Sequence, residues 1–386
     1  MKVWMLDPAQ LTPYYNIALC DALALAGCEV QYITSPYLYT NDLPVSDNFV
    51  TDYHYFHALG YRWLTRSPRL RRGLRGFSYP LDHWRLWHKI RATPPDILHI
   101  QWSRLPYFDH RLIKSIGSLG IPIVHTVHDI IPLYDPHSNV EPLQQIYEMV
   151  DAIIVHAGAN RHDFQRIYPR VNENRIHIVP FIRSPYRVSL PNVTREQIRR
   201  EMDLPYDVPI FLFFGSIRHY KGLDILLSAF EKALQSEPDI HLVVAGMPET
   251  TEDVTLLRTA LALPNVHVTG GYIPYAEMWK YYLVADVVIL PYRAITQSAA
   301  LMTAMEFGRA IIVTKVGALP ESIEGNGWVV EPEDPMSLYN VMVEAARNTN
   351  TLQQMGIQSA SLIKEKYDGA VVAEKTMELY RSIKKR

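Results

Sequence analysis

The stretch IFLFFGSIRHYKGLDILLSAFEKAL, residues 210–234, holds a strand, a turn and a helix in one span. IFLFF is an unbroken apolar run of strand length, which suits a strand covered on both faces. LDILLSAFEKAL spaces its apolar residues at helical intervals and predicts an amphipathic helix over 223–235. Between them, Gly215 ends the strand and Gly222 opens the helix, with Arg218 and Lys221 three residues apart on the turn. Glycine lacks a Cβ, so the backbone there can approach a bound group closely. Arginine offers a planar fork to phosphate oxygens, lysine a compact charge, and a helix N-terminus already favours anions. Two solvated cations on a loop would give the same local pattern. A diphosphate fits it as well, residue by residue.

The alternation extends in both directions. Strands are predicted at 2–6, 29–33, 96–101, 121–127 and 152–156, with helices near 14–26, 82–92, 109–118, 141–150 and 159–168. Further strands follow at 240–246, 266–270, 287–290, 310–314 and 327–331, with helices near 252–262, 275–284, 299–307 and 336–347. Strands alternating with helices mean βαβ crossovers and parallel sheets buried on both faces. The pattern occurs twice, and 386 residues suit two domains of roughly 150–200 each. The expected division is a domain over 1–181, a proline-punctuated linker over 182–194, a second domain over 195–368, and a C-terminal helix over 369–386 returning toward the first domain. Doubly wound domains place ligand crevices at the carboxyl ends of their strands. Two facing crevices would set the active site in an interdomain cleft.

Composition narrows the class. The chain is 48% hydrophobic and 20% charged with a net charge of −2, so its total charge gives no argument for nucleic acid. MKVWMLDPAQ reads as a first strand rather than a signal peptide. No apolar stretch approaches the roughly 18 residues of a membrane span. Cys20 and Cys28 make no disulfide or metal framework, and the cytoplasm is the expected compartment. One segment departs from the rest. Residues 61–91 carry nine Lys or Arg against one acid, Asp82, with Trp63, Phe77, Trp84 and Trp87 interleaved. Two readings stand: a solvated helical segment with its aromatics turned inward, or a surface for anionic lipid head groups on the cytoplasmic face of a membrane.

A second anion site is read in PYRAITQSAALMTAMEFGRAIIVT, residues 291–314. A strand ends at Pro291, a polar loop follows, and AALMTAMEF begins a helix. Backbone amides at Gln297, Ser298, Ala299 and Ala300 would point out of that start, with Ser298 as cap. Two such helix starts in one domain suit a nucleoside diphosphate.

These motifs together are similar to the retaining glycosyltransferases of family 4, which have the GT-B fold. The resemblance rests on Gly215, Arg218, Lys221 and Gly222, and on Gly308, Gly317, Pro320 and Glu321 in GRAIIVTKVGALPESI. It implies that Gly215, Ser216, Arg218, Lys221 and Gly222 meet the donor's diphosphate, and that Glu321 lies in the donor site. It also implies that the nucleotide base rests near Tyr272 or Ile273, with Gly246 permitting close approach. The family's pair of glutamates eight positions apart is missing: Ile295 and Thr303 stand there, and Glu306 is out of register. Three readings follow: another residue substitutes, the backbone of the TQSA loop binds the donor, or activity is lost; Thr303 is counted among the donor-site residues. The second is favoured, since a retaining mechanism that uses the departing phosphate as base needs no protein nucleophile. His128, after the fourth strand, is the implied residue near the reacting centre. Asp129 beside it, and Tyr14, Tyr15 and Asn16 after the first strand, are read as acceptor-pocket residues.

The function expected is sugar transfer from a nucleotide diphosphate sugar to a hydroxyl of a glycan, lipid-linked or small-molecule acceptor, with retention and without a metal or other cofactor. A sugar-nucleotide epimerase and a non-catalytic binding subunit share the architecture. An epimerase would need no acceptor pocket, and the missing glutamates are the feature that favours a binding subunit.

Overall fold

The computed structural model describes residues 1–37, 43–44, 46–56, 68–131, 140–183 and 192–384. Two compact units emerge: Met1–Ile182 with Tyr367–Arg386, and Arg183–Lys366. Much of the predicted linker, residues 184–191, lies outside the described residues, as do residues 61–67 of the basic segment, Trp63 among them.

The first unit is built on β1 (Lys2–Asp7), β2 (Glu29–Thr34), β3 (Val50–Asp52), β4 (Ile97–Ile100), β5 (Ile123–Thr126), β6 (Ala152–Val155) and β7 (Ile176–Ile178). They form one sheet in the order β3-β2-β1-β4-β5-β6-β7, with every pairing parallel. Side chains alternate across it as the period of two requires. Trp4 and Leu6 enter one apolar cluster with Ile100 and Leu112, while Val3 and Met5 enter another with Leu19, Leu23 and Val30. The helix Gly369–Lys384 completes the second cluster through Val372, Leu379 and Tyr380, lying on the helix Pro13–Leu25.

The second unit repeats the plan with β8 (Ile210–Phe214), β9 (His241–Gly246), β10 (Val266–Gly270), β11 (Val287–Leu290), β12 (Ala310–Thr314) and β13 (Gly327–Val330). Their order is β10-β9-β8-β11-β12-β13, again parallel. In each sheet the connections reverse direction beside the first strand: between β1 and β4, and between β8 and β11. Such switch points are where doubly wound sheets open a crevice.

Five elements differ from the sequence expectation. β3 and β7 were not anticipated, because three residues are too few to show a period. The helix placed at 82–92 spans Pro68–Ala92 and carries Pro80 inside it. An interior proline costs about 3 kcal/mol. The inward face offsets that: Tyr79, Asp82, His83, Leu86 and Ile90 are all buried, and Tyr79 Oη donates to Asp109 Oδ1 at 2.7 Å. Helices Arg195–Glu201 and Thr349–Lys366 complete the described set beyond those expected.

Candidate active site

The turn after β8 is pinned to the end of β9. Gly215 N donates to the Ala245 carbonyl at 2.9 Å and Ile217 N to the Met247 carbonyl at 2.8 Å. Close approach is the reason for the glycines. A Cβ on Gly246 would stand 1.7 Å from the Gly215 oxygen, and one on Gly222 2.0 Å from the Pro291 oxygen. Gly222 is also left-handed, at φ 68°, where it ends a short 3-10 turn over His219–Lys221 and opens the helix Leu223–Ser236.

Two cations stand on this turn. The Lys221 ammonium lies 5.6 Å from the centre of the Tyr292 ring. Burial, and then the neighbouring Arg218, push its pKa down to about 8. Arg218 pairs with Glu249 at 2.5 Å, and its Nε is buried without a partner. Arg293, after β11, holds the turn in place. Its guanidinium donates to the His219 carbonyl at 2.8 Å and forms a fork with both Asp224 oxygens at 2.8 and 2.7 Å. Glu249 and Arg293 were not anticipated; each reaches the turn from the end of another strand, beyond the range of a local pattern.

At the second helix start, Ser298 Oγ accepts from Leu301 N at 3.3 Å, capping Ala299–Glu306. The Ser298 amide is not open, because it donates to the Gln297 side-chain oxygen at 2.9 Å. Of the amides expected to be open over 297–300, that of Ser298 is therefore taken up by a side chain, and those of Gln297, Ala299 and Ala300 have no side-chain acceptor. Thr303 Oγ1 donates to the Ala299 carbonyl at 3.0 Å. Glu306 faces Arg183, with contacts of 2.8 and 2.7 Å. Gly317 packs against the Ile295 backbone, where a Cβ would meet the carbonyl at 1.8 Å. No carboxylate replaces the missing pair at 295 or 303. Gly246 and Gly271 adjoin, since the Gly271 amide donates to the Gly246 carbonyl at 3.0 Å; Tyr272 beyond them is exposed and Ile273 half-buried. Ser216 is half-buried on the turn, and Glu321 is exposed.

In the first unit, His128 is buried beside the loop after β4. It stacks on Trp102 at 5.2 Å and meets the edge of Tyr15 at 4.7 Å. Its Nε2 donates to Gln101 Oε1 at 2.9 Å, which leaves Nδ1 as the acceptor of the neutral ring. Burial, then the neighbouring His156, His125 and His99, hold its pKa well below the usual value. Gln101 Nε2 in turn approaches His99 Nε2 at 3.2 Å, and His99 Nδ1 contacts Tyr380 Oη at 2.6 Å. A hydrogen-bonded line thus runs from the C-terminal helix to His128. His125 is tied locally: its Nδ1 donates to the Thr126 carbonyl at 2.9 Å, and its Nε2 accepts from Ser103 at 3.0 Å.

The residues read as an acceptor pocket separate. Tyr14 and Asp129 are half-buried. Tyr15 is packed among His128, His156 and Phe181, and Asn16 is fully buried, donating to Asp7 at 2.8 Å and to Tyr32 Oη at 3.1 Å. Tyr15 and Asn16 therefore belong to the packed interior: the helix Pro13–Leu25 is covered almost all round, so neither side chain faces solvent. Gln101 and Trp102 were missed; their place at the end of β4, beside the switch point, was the available signal. Among the described residues no cluster of three His, Cys, Asp or Glu is placed for a metal.

Two family models match, "Glycosyltransferase Family 4" over residues 14–181 and "Glycosyl transferases group 1" over residues 208–348. A D-inositol 3-phosphate glycosyltransferase of Corynebacterium diphtheriae is 25% identical over 281 residues. That alignment takes in 68% of this chain and 65% of the relative, so the chain matches a little under two thirds of the relative's length. Among solved structures, sucrose-phosphate synthase from Thermosynechococcus elongatus superposes with a TM-score of 0.74 at 17% identity, over 99% of both chains. Anabaena HepE in complex with UDP-glucose gives 0.70 at 13% identity, over 99% of this chain and 100% of that one. Matched by a family model in each unit and by GT-B structures over nearly its whole length, the chain belongs to the family 4, group 1 glycosyltransferases.

Proposed function

We propose that the protein transfers a hexosyl group from a nucleoside diphosphate sugar to a hydroxyl acceptor, with retention at the anomeric carbon. The observation that carries this reading is the paired Arg218 and Lys221 on a glycine-bounded turn at the switch point of the second unit, with the Lys221 charge destabilised by burial. An anion there would relieve both cations. The structural neighbour that holds UDP-glucose supports a nucleotide sugar as donor.

In this reading the bond from the anomeric carbon to the diphosphate oxygen breaks while Arg218, Lys221 and the Ala299 and Ala300 amides stabilise the charge that develops on the diphosphate. The acceptor hydroxyl bonds to the same face of that carbon and gives its proton to the departing phosphate oxygen. No carboxylate is needed as nucleophile, which accommodates Ile295 and Thr303. His128 serves a hydroxyl of the transferred sugar through its free Nδ1, and Tyr272 and Ile273 carry the base. The scheme assigns no step to a metal, so activity should survive EDTA. Losing one diphosphate contact should cost about 2–4 kcal/mol of barrier, or 10²–10³ in rate.

A glycan or lipid-linked acceptor is favoured by the helix Pro68–Ala92. Its outer stripe exposes Leu70, Phe77, Leu81 and Trp84, while Trp87 packs inward. With the exposed Arg85 and Arg91 of the same helix, that stripe suits an anionic membrane surface. Binding to phosphatidylglycerol vesicles, lost in Phe77→Ser with Trp84→Ser, would support it; unchanged binding would remove it.

Calorimetric titration with UDP, GDP, ADP, dTDP and CDP tests the donor reading, alongside Arg218→Ala and Lys221→Ala. One diphosphate should bind, and both variants should lose it. A folded protein that binds none would favour the second reading, a non-catalytic subunit, which the absent glutamate pair recommends.

A further inference from the structure

A cavity of about 250 Å³ opens at the carboxyl ends of β1 and β2, apart from the histidine network. Gln10, Tyr37, Ser46, Phe49, Thr51 and Tyr53 line it, and none of its described lining residues is charged. Gln10 stands out twice. Its φ is 51°, a left-handed conformation that costs free energy for any residue with a Cβ. Its side chain is 3% exposed, and its carbonyl oxygen is buried with no hydrogen-bond donor. The loop Pro8–Thr12 thus carries backbone strain and an unsatisfied acceptor at a residue that lines the cavity.

We propose that this cavity binds the ring of an uncharged sugar or polyol, the head of the hydroxyl acceptor, with a ligand hydroxyl donating to Gln10 Oε1. Only the word acceptor rests on the transferase reading; the binding itself does not. A sugar ring has C–H faces for Tyr37, Phe49 and Tyr53, and hydroxyl edges for Gln10 and Thr51. The volume suits one ring rather than a chain. A phosphorylated head would find no cation among the described lining residues.

The test is saturation-transfer NMR on the full chain with methyl α-glucoside, methyl α-mannoside, myo-inositol and myo-inositol 1-phosphate, with and without saturating UDP. At least one neutral ligand should bind, and more tightly than the phosphate. Gln10→Gly should weaken that binding at least tenfold while keeping or raising the melting temperature, since glycine accepts a φ of 51° freely. Tyr53→Ala, at a half-exposed position that the fold tolerates, should weaken it several-fold. UDP affinity should stay the same in both. The proposal is overturned if a protein that binds UDP takes up no neutral ligand, if both variants bind as the wild type does, or if the inositol phosphate binds tighter than myo-inositol. Neutral ligand binding that depends on Gln10, in a protein that ignores every nucleotide, would sustain the cavity and sink the transferase reading instead.

Discussion

The Lys221 ammonium nitrogen lies 2.8 Å from the point that a β-carbon on Gly215 would occupy. The missing side chain of one residue is the space that holds the charge of the other. Gly215 also has a φ of 123°, so Gly215→Ala meets both strain and a displaced lysine. Nucleoside diphosphate affinity should fall at least tenfold, with a stability loss of about 1–3 kcal/mol. Paired calorimetry and urea melts would show it; unchanged affinity would mean that Lys221 does not touch the ligand.

Nucleotide binding should carry a proton with it. Burial, and then Arg218, hold the Lys221 pKa down at about 8, and a bound diphosphate should restore the charged form. Above pH 8, binding therefore takes up a proton, and affinity falls by up to tenfold per unit as pH rises toward the ordinary lysine range. Titrations in buffers of different ionisation heat measure that uptake directly. A pH-independent affinity between 7.5 and 9.5 would contradict the assignment.

Acid should unfold the first unit early. Burial, and then the neighbouring His125, hold His99 down to about 3, while burial holds His125 and His156 to about 4. The unfolded chain binds protons at these sites below about pH 6.5, where the folded chain refuses them. Their contribution is complete above that value and lost as pH falls toward 4. Asp7 runs the other way: burial raises its carboxyl to about 6, so its protonation favours the folded state below that pH. Three histidines outweigh one carboxyl. The melting temperature should drop by roughly ten degrees or more between pH 6.5 and 4.5; a flat profile would sink the idea.

Gln101 should set the tautomer of His128. Its side-chain oxygen accepts from Nε2 at 2.9 Å, so nitrogen-15 shifts should report Nε2–H in the wild type. In Gln101→Leu the two tautomers should mix, with fold stability and UDP affinity little changed. Retention of a pure Nε2–H form in the variant would show that something else orients the ring.

Asp286 is expected to be a stability residue. It pairs with the buried Arg199 at 2.8 Å, and it also accepts from Arg195 and from the Ile210 amide. Asp286→Ala strands a buried guanidinium and should cost about 3–5 kcal/mol by urea denaturation. A loss below 1 kcal/mol would refute the pairing.

What could be read without coordinates was what the chain writes locally. IFLFF and AIIV announce buried strands because parallel sheets hide both faces. The glycine-bounded turn with its two cations is legible because Gly215, Arg218, Lys221 and Gly222 fall within eight residues. Glu249 and Arg293 were invisible for the complementary reason: parallel strands bring their carboxyl ends together from distant parts of the chain. Tyr15 and Asn16 misled because Pro13–Leu25 is apolar on nearly every side, so no stripe told the inward face from the outward one. The helix expected at 82–92 begins earlier, at Pro68, and runs through Pro80, whose cost the buried contacts of Tyr79 and His83 offset.

The helix Gly369–Lys384 lies on Pro13–Leu25, and Tyr380 reaches His99, so the first unit is begun first and finished last. A ribosome delivers all of Arg183–Lys366 before the residues that close the apolar face of the opening helix. The later half can then fold as one continuous segment while the earlier half waits. Expression of 183–366 alone should give a soluble piece that still carries the Gly215–Gly222 turn. A chain cut at 366 should expose Leu19 and Leu23 and collect as aggregate.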